Sequence, residues 1–280
     1  MPDLAHFDSN TNPPGTMQRA RGTGRLVTQV RDGRTHIAEL YQEGCAKIRL
    51  PRTHGQALEA VLINTSGGVT GGDRLDWSLN AAPHSRLVAT TQACERVYKS
   101  TGADAIVSNT ITIGAHAHVD WLPQETILFE QSRLHRTLDV DLAEGASFTA
   151  VEAILLGREA MGEAARSAIL NDNWRIRRNG RLIHAEANRL SAADLERDAL
   201  SLLAGNNAFA TILFVGTNAA ERVDSVRALV PEGAKAAVSA IQERLVVRVL
   251  APTGLALRRI ITPIIAHLSG AGSLPRLWTT

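Results

Sequence analysis

Aromatic residues make up only 4% of this 280-residue chain, and cysteine occurs twice, at Cys45 and Cys94. The first scarcity means that a core must be built from aliphatic side chains, which the 44% apolar content supplies. The second excludes a disulfide scaffold and points to a reducing compartment, each thiol reading as a small buried hydrophobe rather than a ligand. A basic excess is also missing. Thirty Lys and Arg stand against 28 Asp and Glu, a formal charge of +2, without the electrostatic footprint of a nucleic-acid binder. No apolar run approaches the ~18 residues of a membrane span, and no basic-then-apolar start marks a signal peptide. These absences predict a cytoplasmic chain with neither nucleic acid nor membrane as partner.

Glycine, by contrast, is dense in one stretch. After the apolar run Val61-Leu62-Ile63 come Asn64 and Thr65, then Gly67, Gly68, Gly71 and Gly72, closed by Asp73. Glycine costs backbone entropy, so such a cluster between strands implies positive φ or a close approach that leaves no room for a Cβ. Phosphate binding is a poor fit. No Lys-Ser or Lys-Thr follows the glycines, the segment after Gly72 alternates as a strand rather than opening a helix, and Asp73 would repel an anion. The residue pattern alone reads as a tight strand-to-strand crossing. Downstream lie Thr90-Thr91-Gln92-Ala93 and Tyr98-Lys99-Ser100.

Along the chain, residues 1–18 read as a flexible polar tail, 19–190 as a β-rich body, and 191–280 as a smaller α/β portion packed on it, with one continuous domain as the alternative reading of the last two. Asp32-Gly33 and Asn179-Gly180 are two-residue hairpin signals. Alternation predicts strands at 25–30, 34–40, 105–113, 115–122, 137–142 and 147–155. Beyond Asn188, helices are expected from Ser191 through Leu203 and from Ala219 to Leu229, with one long strand-like segment from Ala236 to Leu250. A last helix, capped by Thr253, runs to Leu268 with a kink at Pro263. No sequence repeat of 20–50 residues is evident. Pattern alone leaves sandwich, barrel and superhelix open.

Three clusters invite chemistry. His116, His118 and Asp120 fall on one face of the 115–122 strand, where same-side residues lie about 6.5–7 Å apart. Two imidazoles so placed suit nickel or zinc. The competing reading is a solvated face that happens to be His-rich, and it leaves at most an auxiliary metal site. Glu152 and Glu163 with Arg158 read as an ion network rather than an acid/base pair, because no His, Ser or Cys lies nearby in the sequence. Arg175, Arg177, Arg178 and Arg181 around the 179–180 turn read as a solvated face before a docking patch.

The block Asn64-Thr65-x-Gly67-Gly68-x-x-Gly71-Gly72-Asp73, then Thr90-Thr91-Gln92-Ala93 and Tyr98-Lys99-Ser100, resembles the signature of the urease accessory protein D family, UreD or UreH. Arg96 stands where that family usually has Lys, and Lys99 where it usually has Arg, a swap that weakens any bidentate contact. Further resemblances are Trp121-Leu122-Pro123-Gln124-Glu125-x-Ile127-Leu128-Phe129, then Glu152 with Gly157-Arg158-x-Ala160-x-Gly162-Glu163, and the closing Pro275-Arg276-x-Trp278. The resemblance implies a mainly β fold, a β-superhelical stack of sheets with a few helices. It implies a non-catalytic scaffold that binds the urease apoprotein and accessory proteins F and G, the latter a GTPase, while nickel is inserted into urease. No tightly bound cofactor is expected, only nickel in transit. The polar signature residues Asn64, Thr65, Asp73, Thr90, Thr91, Gln92 and Glu125 would then line a wet passage or contact partners. Two other readings stay open: a metalloenzyme using His116 and His118, or a β-rich interaction module with no metal role.

Overall fold

The structure, a computed structural model, describes residues 18–53, 55–158, 161–191, 199–200, 202–270 and 274–279. It is a two-sheet coil. In chain order the strands are β1 (Arg21–Arg31), β2 (Arg34–Gly44), β3 (Ala46–Arg49), β4 (Leu58–Asn64), β5 (Arg74–Ala81), β6 (Arg86–Thr91) and β7 (Glu95–Val97). Then come β8 (Ala105–Ile113), β9 (His118–Leu122), β10 (Thr126–Leu128), β11 (Arg133–Leu142), β12 (Ser147–Leu156), β13 (Ile169–Arg178) and β14 (Arg181–Leu190). The remainder holds β15 (Ala208–Val215), α1 (Val223–Arg227), β16 (Lys235–Ile241), β17 (Arg244–Ala251), α2 (Gly254–Leu268) and α3 (Arg276–Thr279).

From β4 to β13 the main strands alternate between two sheets, as in a β-solenoid. Sheet one runs β14-β13-β11-β8-β5-β1-β2, and sheet two runs β16-β17-β15-β12-β9-β6-β4-β3, with β7 and β10 forming a short side strip against β12. Within sheet one, β1, β5, β8, β11 and β13 are parallel neighbours. Within sheet two, β4, β6, β9 and β12 are likewise parallel. The antiparallel pairs are all at the flanks. Both hairpin signals are realised, with Asp32 at φ 51° and Asn179 at φ 49°.

Burial explains the two kinds of strand sequence. Sheet one has one buried face, so its strands alternate. Leu26, Leu79, Ile111, Val140 and Ile176 sit side by side across five strands, all buried. Sheet two is covered on both faces, and its strands read as continuous apolar runs. On its inner face Leu87, Val119 and Phe148 meet sheet one, while on its outer face Val88, Val151, Ile212 and Phe214 meet α2. That helix presents Leu257, Ile260, Ile261, Ile264, Ile265 and Leu268 inward. Its start is fixed by Thr253, whose Oγ1 accepts from Ala256 N at 3.1 Å, and Pro263 lies inside it. Burying such an aliphatic side chain stabilises by about 1.5–3 kcal/mol.

Two expectations change. The helix over 219–229 shrinks to a 3-10 turn, Ala220–Arg222, followed by the short α1, because past Ala219 only Val226 finds a buried place. The strand-like run from Ala236 is a hairpin, β16 and β17, turning at Gln242 with φ 55°. The helix expected from Ser191 falls largely outside the described residues. In the C-terminal portion, β15 pairs with β12 along eight residue pairs, so sheet two continues from the body without a break. The coil also has a structural period of about thirty residues with no matching sequence period, since each turn keeps only burial and turn geometry.

Candidate functional site

The glycine block is a junction. Val69 N donates to Arg96 O and Tyr98 N to Val69 O, both at 2.8 Å; Phe129 N reaches Val97 O at 3.0 Å, and Gly157 N reaches Leu128 O at 2.8 Å. The glycine loop, β7, the segment after β10 and the Gly157 turn are thus laced together where sheet two hands the chain back to sheet one. Gly67, Gly68, Gly72 and Gly157 all have positive φ. Gly71 is held by proximity instead: a Cβ there would lie 2.0 Å from Ser100 Oγ and 2.3 Å from Ala103 O.

Several signature side chains serve this junction. Asp73 is buried, and its carboxylate accepts from Ala20 N and Thr70 N, each at 2.8 Å. Thr65 Oγ1 donates to Cys45 O at 3.0 Å. Thr91 Oγ1 donates to Ala93 O and accepts from Gln124 N at 2.8 Å. Thr90 is buried with its hydroxyl toward Thr91 O. Ser100 Oγ accepts from Gly102 N at 3.0 Å, and Thr70 Oγ1 donates to Lys99 O at 2.8 Å. Tyr98 packs edge-on to Phe129 with centroids 5.1 Å apart. Arg158 pairs with Glu163 and lies over the Phe129 ring. Glu125 is tied instead to α2, through an ion pair with Arg258 at 3.0 Å.

Glu152 is not in a network with Arg158 and Glu163. It points into the core beside Arg136, and here the sequence reading missed the principal residues. Arg136 is 5% exposed, Glu152 4% and Asp172 1%. Arg136 is neighbour to Asp172 across β11 and β13, and its Nε and Nη2 hold both carboxylate oxygens at 3.1 and 2.8 Å. Nη1 donates to Thr126 Oγ1 at 3.0 Å and lies 2.6 Å from Glu152 Oε2, a close contact misaligned for a hydrogen bond. Glu152 Oε1 accepts from Trp121 Nε1 at 3.0 Å. Burial pushes Glu152 up to about 7, only partly offset by the Arg136 charge. Burial also works against the guanidinium, but Asp172 and Glu152 outweigh it and hold the charge.

The row continues to Glu95, half-buried, which accepts from Asn64 Nδ2 at 3.1 Å. Burial pushes its carboxyl up to about 7, against the pull of Asn64 and Arg136. Glu95 lines a cavity of about 340 Å³ together with Asn64, Gly67, Gly68, Thr91, Gln92 and Cys94. Three carboxyls thus share one guanidinium, and two of them keep a proton to near neutrality because the interior cannot hold that much negative charge. The missed signal was phase. Arg136 follows Leu134 and precedes Leu138 on the buried face of β11, and Asp172 sits between Leu170 and Trp174 on that of β13.

His116 and His118 do not share a strand face. β9 begins at His118, and His116 occupies the preceding turn at φ 57°. Nor are His118 and Asp120 solvated: both are buried and paired at 2.7 Å, with Ser147 Oγ on the other ring nitrogen. Among the described residues no group of three His, Cys, Asp or Glu is arranged to hold a metal ion. Of the arginines near the 179–180 turn, Arg177 pairs with Asp139 and Arg178 with Glu243.

A coil of two mostly parallel sheets, knotted at one end by glycine loops and carrying a charged row in its core, defines a β-solenoid protein organised around its junction. The sequence model described as UreD urease accessory protein matches residues 20–279. The chain belongs to that family. A protein named Urease accessory protein UreD from Chelativorans sp. (strain BNC1) is 64% identical over 266 residues, covering 95% of this chain and 96% of that one. Proteins of the same name from Rhizobium johnstonii and Agrobacterium fabrum are 53% and 48% identical, over 93% and 95% of this chain and 96% and 93% of theirs.

Proposed function

We propose that this chain is a non-catalytic scaffold of urease maturation, holding apo-urease in line with accessory proteins F and G while the GTPase G drives nickel insertion. Membership of the family over nearly the whole chain carries this reading. No helix among the described residues is long and apolar enough to cross a membrane, and the cytoplasm is the setting in which such an assembly would work. Nickel is cargo here, not a resident cofactor.

The route we favour for the ion is the cavity at Glu95 and the charged row behind it. A divalent cation leaves water only for oxygen or nitrogen ligands. Carboxyls that exchange a proton near pH 7 supply such ligands without leaving an uncompensated charge when the ion has gone. Asn64, Thr91 and Gln92 would form the polar mouth. Asp73 and Thr65, whose side chains are engaged with backbone, would act through the fold. The test is co-expression with F-like and G-like partners, size-exclusion chromatography with nickel analysis, and urease activation by the purified components. Glu95→Gln should leave the complex intact and slow activation, whereas Asp73→Ala should lower both folding and activation. A chain that never co-elutes with the partners would discard the scaffold; unchanged activation by Glu95→Gln would discard the route alone.

A further inference from the structure

At the opposite end of the coil, where sheet one arches over into sheet two, three equivalent turn positions stack. They are His84, His116 and Gly145, at φ 62°, 57° and 68°. The turns are hydrogen-bonded in line, His84 N to Ala115 O at 2.9 Å and His116 N to Glu144 O at 3.1 Å. The imidazoles of His84 and His116 stack with centroids 5.3 Å apart. Beside them opens a cavity of about 620 Å³, lined also by His118, Ser147, Arg86, Arg178, Arg222 and Glu243.

Its charges do not cancel. Arg178 is matched to Glu243 at 2.7 Å and to Ala143 O at 2.9 Å. Arg222 donates to His267 O at 3.2 Å and lies over the Phe214 ring at 4.5 Å. Arg86 donates from Nη1 to Gly270 O at 2.8 Å. Among the described residues neither Arg86 nor Arg222 has a carboxylate within ion-pair distance. Asp120 lies behind the cavity, engaged with His118 and with Ser269 Oγ, each at 2.7 Å. Glu243, the one lining carboxylate among the described residues, is therefore already neutralised, while two guanidiniums keep an unmatched charge.

The floor is fixed. Asp120 is held below the usual carboxylate range: burial opposes this, but His118 and the Ser269 hydroxyl outweigh it. Nε2 of His118 donates to Asp120, the Gly270 N–H that approaches it at 3.1 Å being shared with Asp120 Oδ1 at 3.3 Å, and Nδ1 accepts from Ser147 Oγ at 2.7 Å, a tautomer assigned from this network. Ser, His and Asp in that order resemble an acyl-transfer nucleophile. Yet the N–H groups of Ser147 and Ala146 are engaged with Ala117 O and Ala143 O. Neither is free to serve as an oxyanion donor beside the hydroxyl.

We propose that this cavity binds a small oxyanion, free or carried on a small organic molecule. Arg86, with donors to spare, is the direct contact, and Arg222 supplies field. A concave lining drawn from seven separate segments favours a small ligand over a broad protein surface.

Equilibrium dialysis of the full-length chain tests this with three probes: inorganic phosphate, glycerol phosphate and succinate. One saturable site per chain is expected for at least one probe, and which probe binds separates free from organic and phosphate from carboxylate. Arg86→Gln should weaken it on the order of tenfold, by loss of a charge-assisted contact, Arg222→Gln less, and Arg175→Gln, on the outer face of sheet one, not at all. In the unaltered protein, whichever probe binds should protect Arg86 from phenylglyoxal, a readout independent of any variant. No saturable uptake, equal uptake by Arg86→Gln, or no protection would overturn the proposal. So would loss of partner co-elution by Arg86→Gln in a chain that takes up no oxyanion, which would make this face a dock for acidic protein.

Discussion

Arg258 and Glu125 stand 133 residues apart in sequence and 3.0 Å apart in space, joining α2 to the loop between β9 and β10. The same guanidinium reaches Gln124 Oε1 and Leu277 O, each at 2.8 Å, and lies over the Trp278 ring. Removing it strands a carboxylate that is 4% exposed. Arg258→Ala should destabilise the chain by about 3 kcal/mol, as measured by urea denaturation, since losing one partner of a buried pair leaves the other uncompensated. Adding Glu125→Gln should recover part of that loss, and strict additivity of the two changes would deny the coupling.

The same pair governs a thiol. Cys94 Sγ lies 3.4 Å from Glu125 Oε2, and burial together with the nearby carboxylate pushes its pKa up to about 11. Because only the thiolate attacks, Cys94 should react slowly with iodoacetamide at pH 8 in the native chain and at the ordinary rate once unfolded. Rapid native labelling at this position would contradict the buried geometry.

Glu95 makes stability depend on pH in an unusual direction for a carboxylate. Its folded pKa is raised from 4.5 to about 7 by burial. The folded state therefore keeps a proton that the unfolded chain gives up. The contribution is fully present below about pH 4.5 and is lost as pH rises through about 7. Glu95→Gln mimics the protonated form. It should match the parent near pH 5 and exceed it in urea midpoint near pH 8. The difference between the two proteins isolates this group from Asp120 and Glu186, whose lowered pKa values act with the opposite sign. A flat difference across that range would remove the linkage.

What could be read in advance follows from which forces are local. Alternation in β8 and the turn chemistry at Asp32-Gly33 and Asn179-Gly180 act over a few residues, so strands and hairpins were legible. The continuous apolar runs of β12 and β15 carry the mark of a sheet covered on both sides, a signal that the reading of 147–155 as an alternating strand passed over. Pairing β15 with β12 is a long-range choice, and the α/β alternation of the last ninety residues hid that these strands extend an existing sheet. The signature block was legible as a unit, but the roles of its side chains were not: Asp73 and Thr65 looked available and are tied to backbone. Conversely Arg136 and Asp172 lay in plain view as charges in apolar phase. Only strand register tells that the two phases meet.

Register also sets up the last prediction, at the stack of turns. Gly145 has φ 68°, and a Cβ there would lie 2.3 Å from His116 Nδ1. Gly145→Ala therefore carries two separable penalties. Left-handed backbone costs an alanine about 1 kcal/mol wherever it occurs. Displacing the His116 ring from His84 adds to that by breaking an aromatic stack worth about 0.5–1.5 kcal/mol. His116→Ala alone loses only the stack. With it in place, the ring is no longer there to be struck, so Gly145→Ala should cost only the backbone share. The double variant should accordingly be more stable than the sum of the singles implies, by about the worth of the stack. Thermal or urea unfolding of the four proteins measures this, and a coupling of zero would mean that the ring does not occupy the space above Gly145.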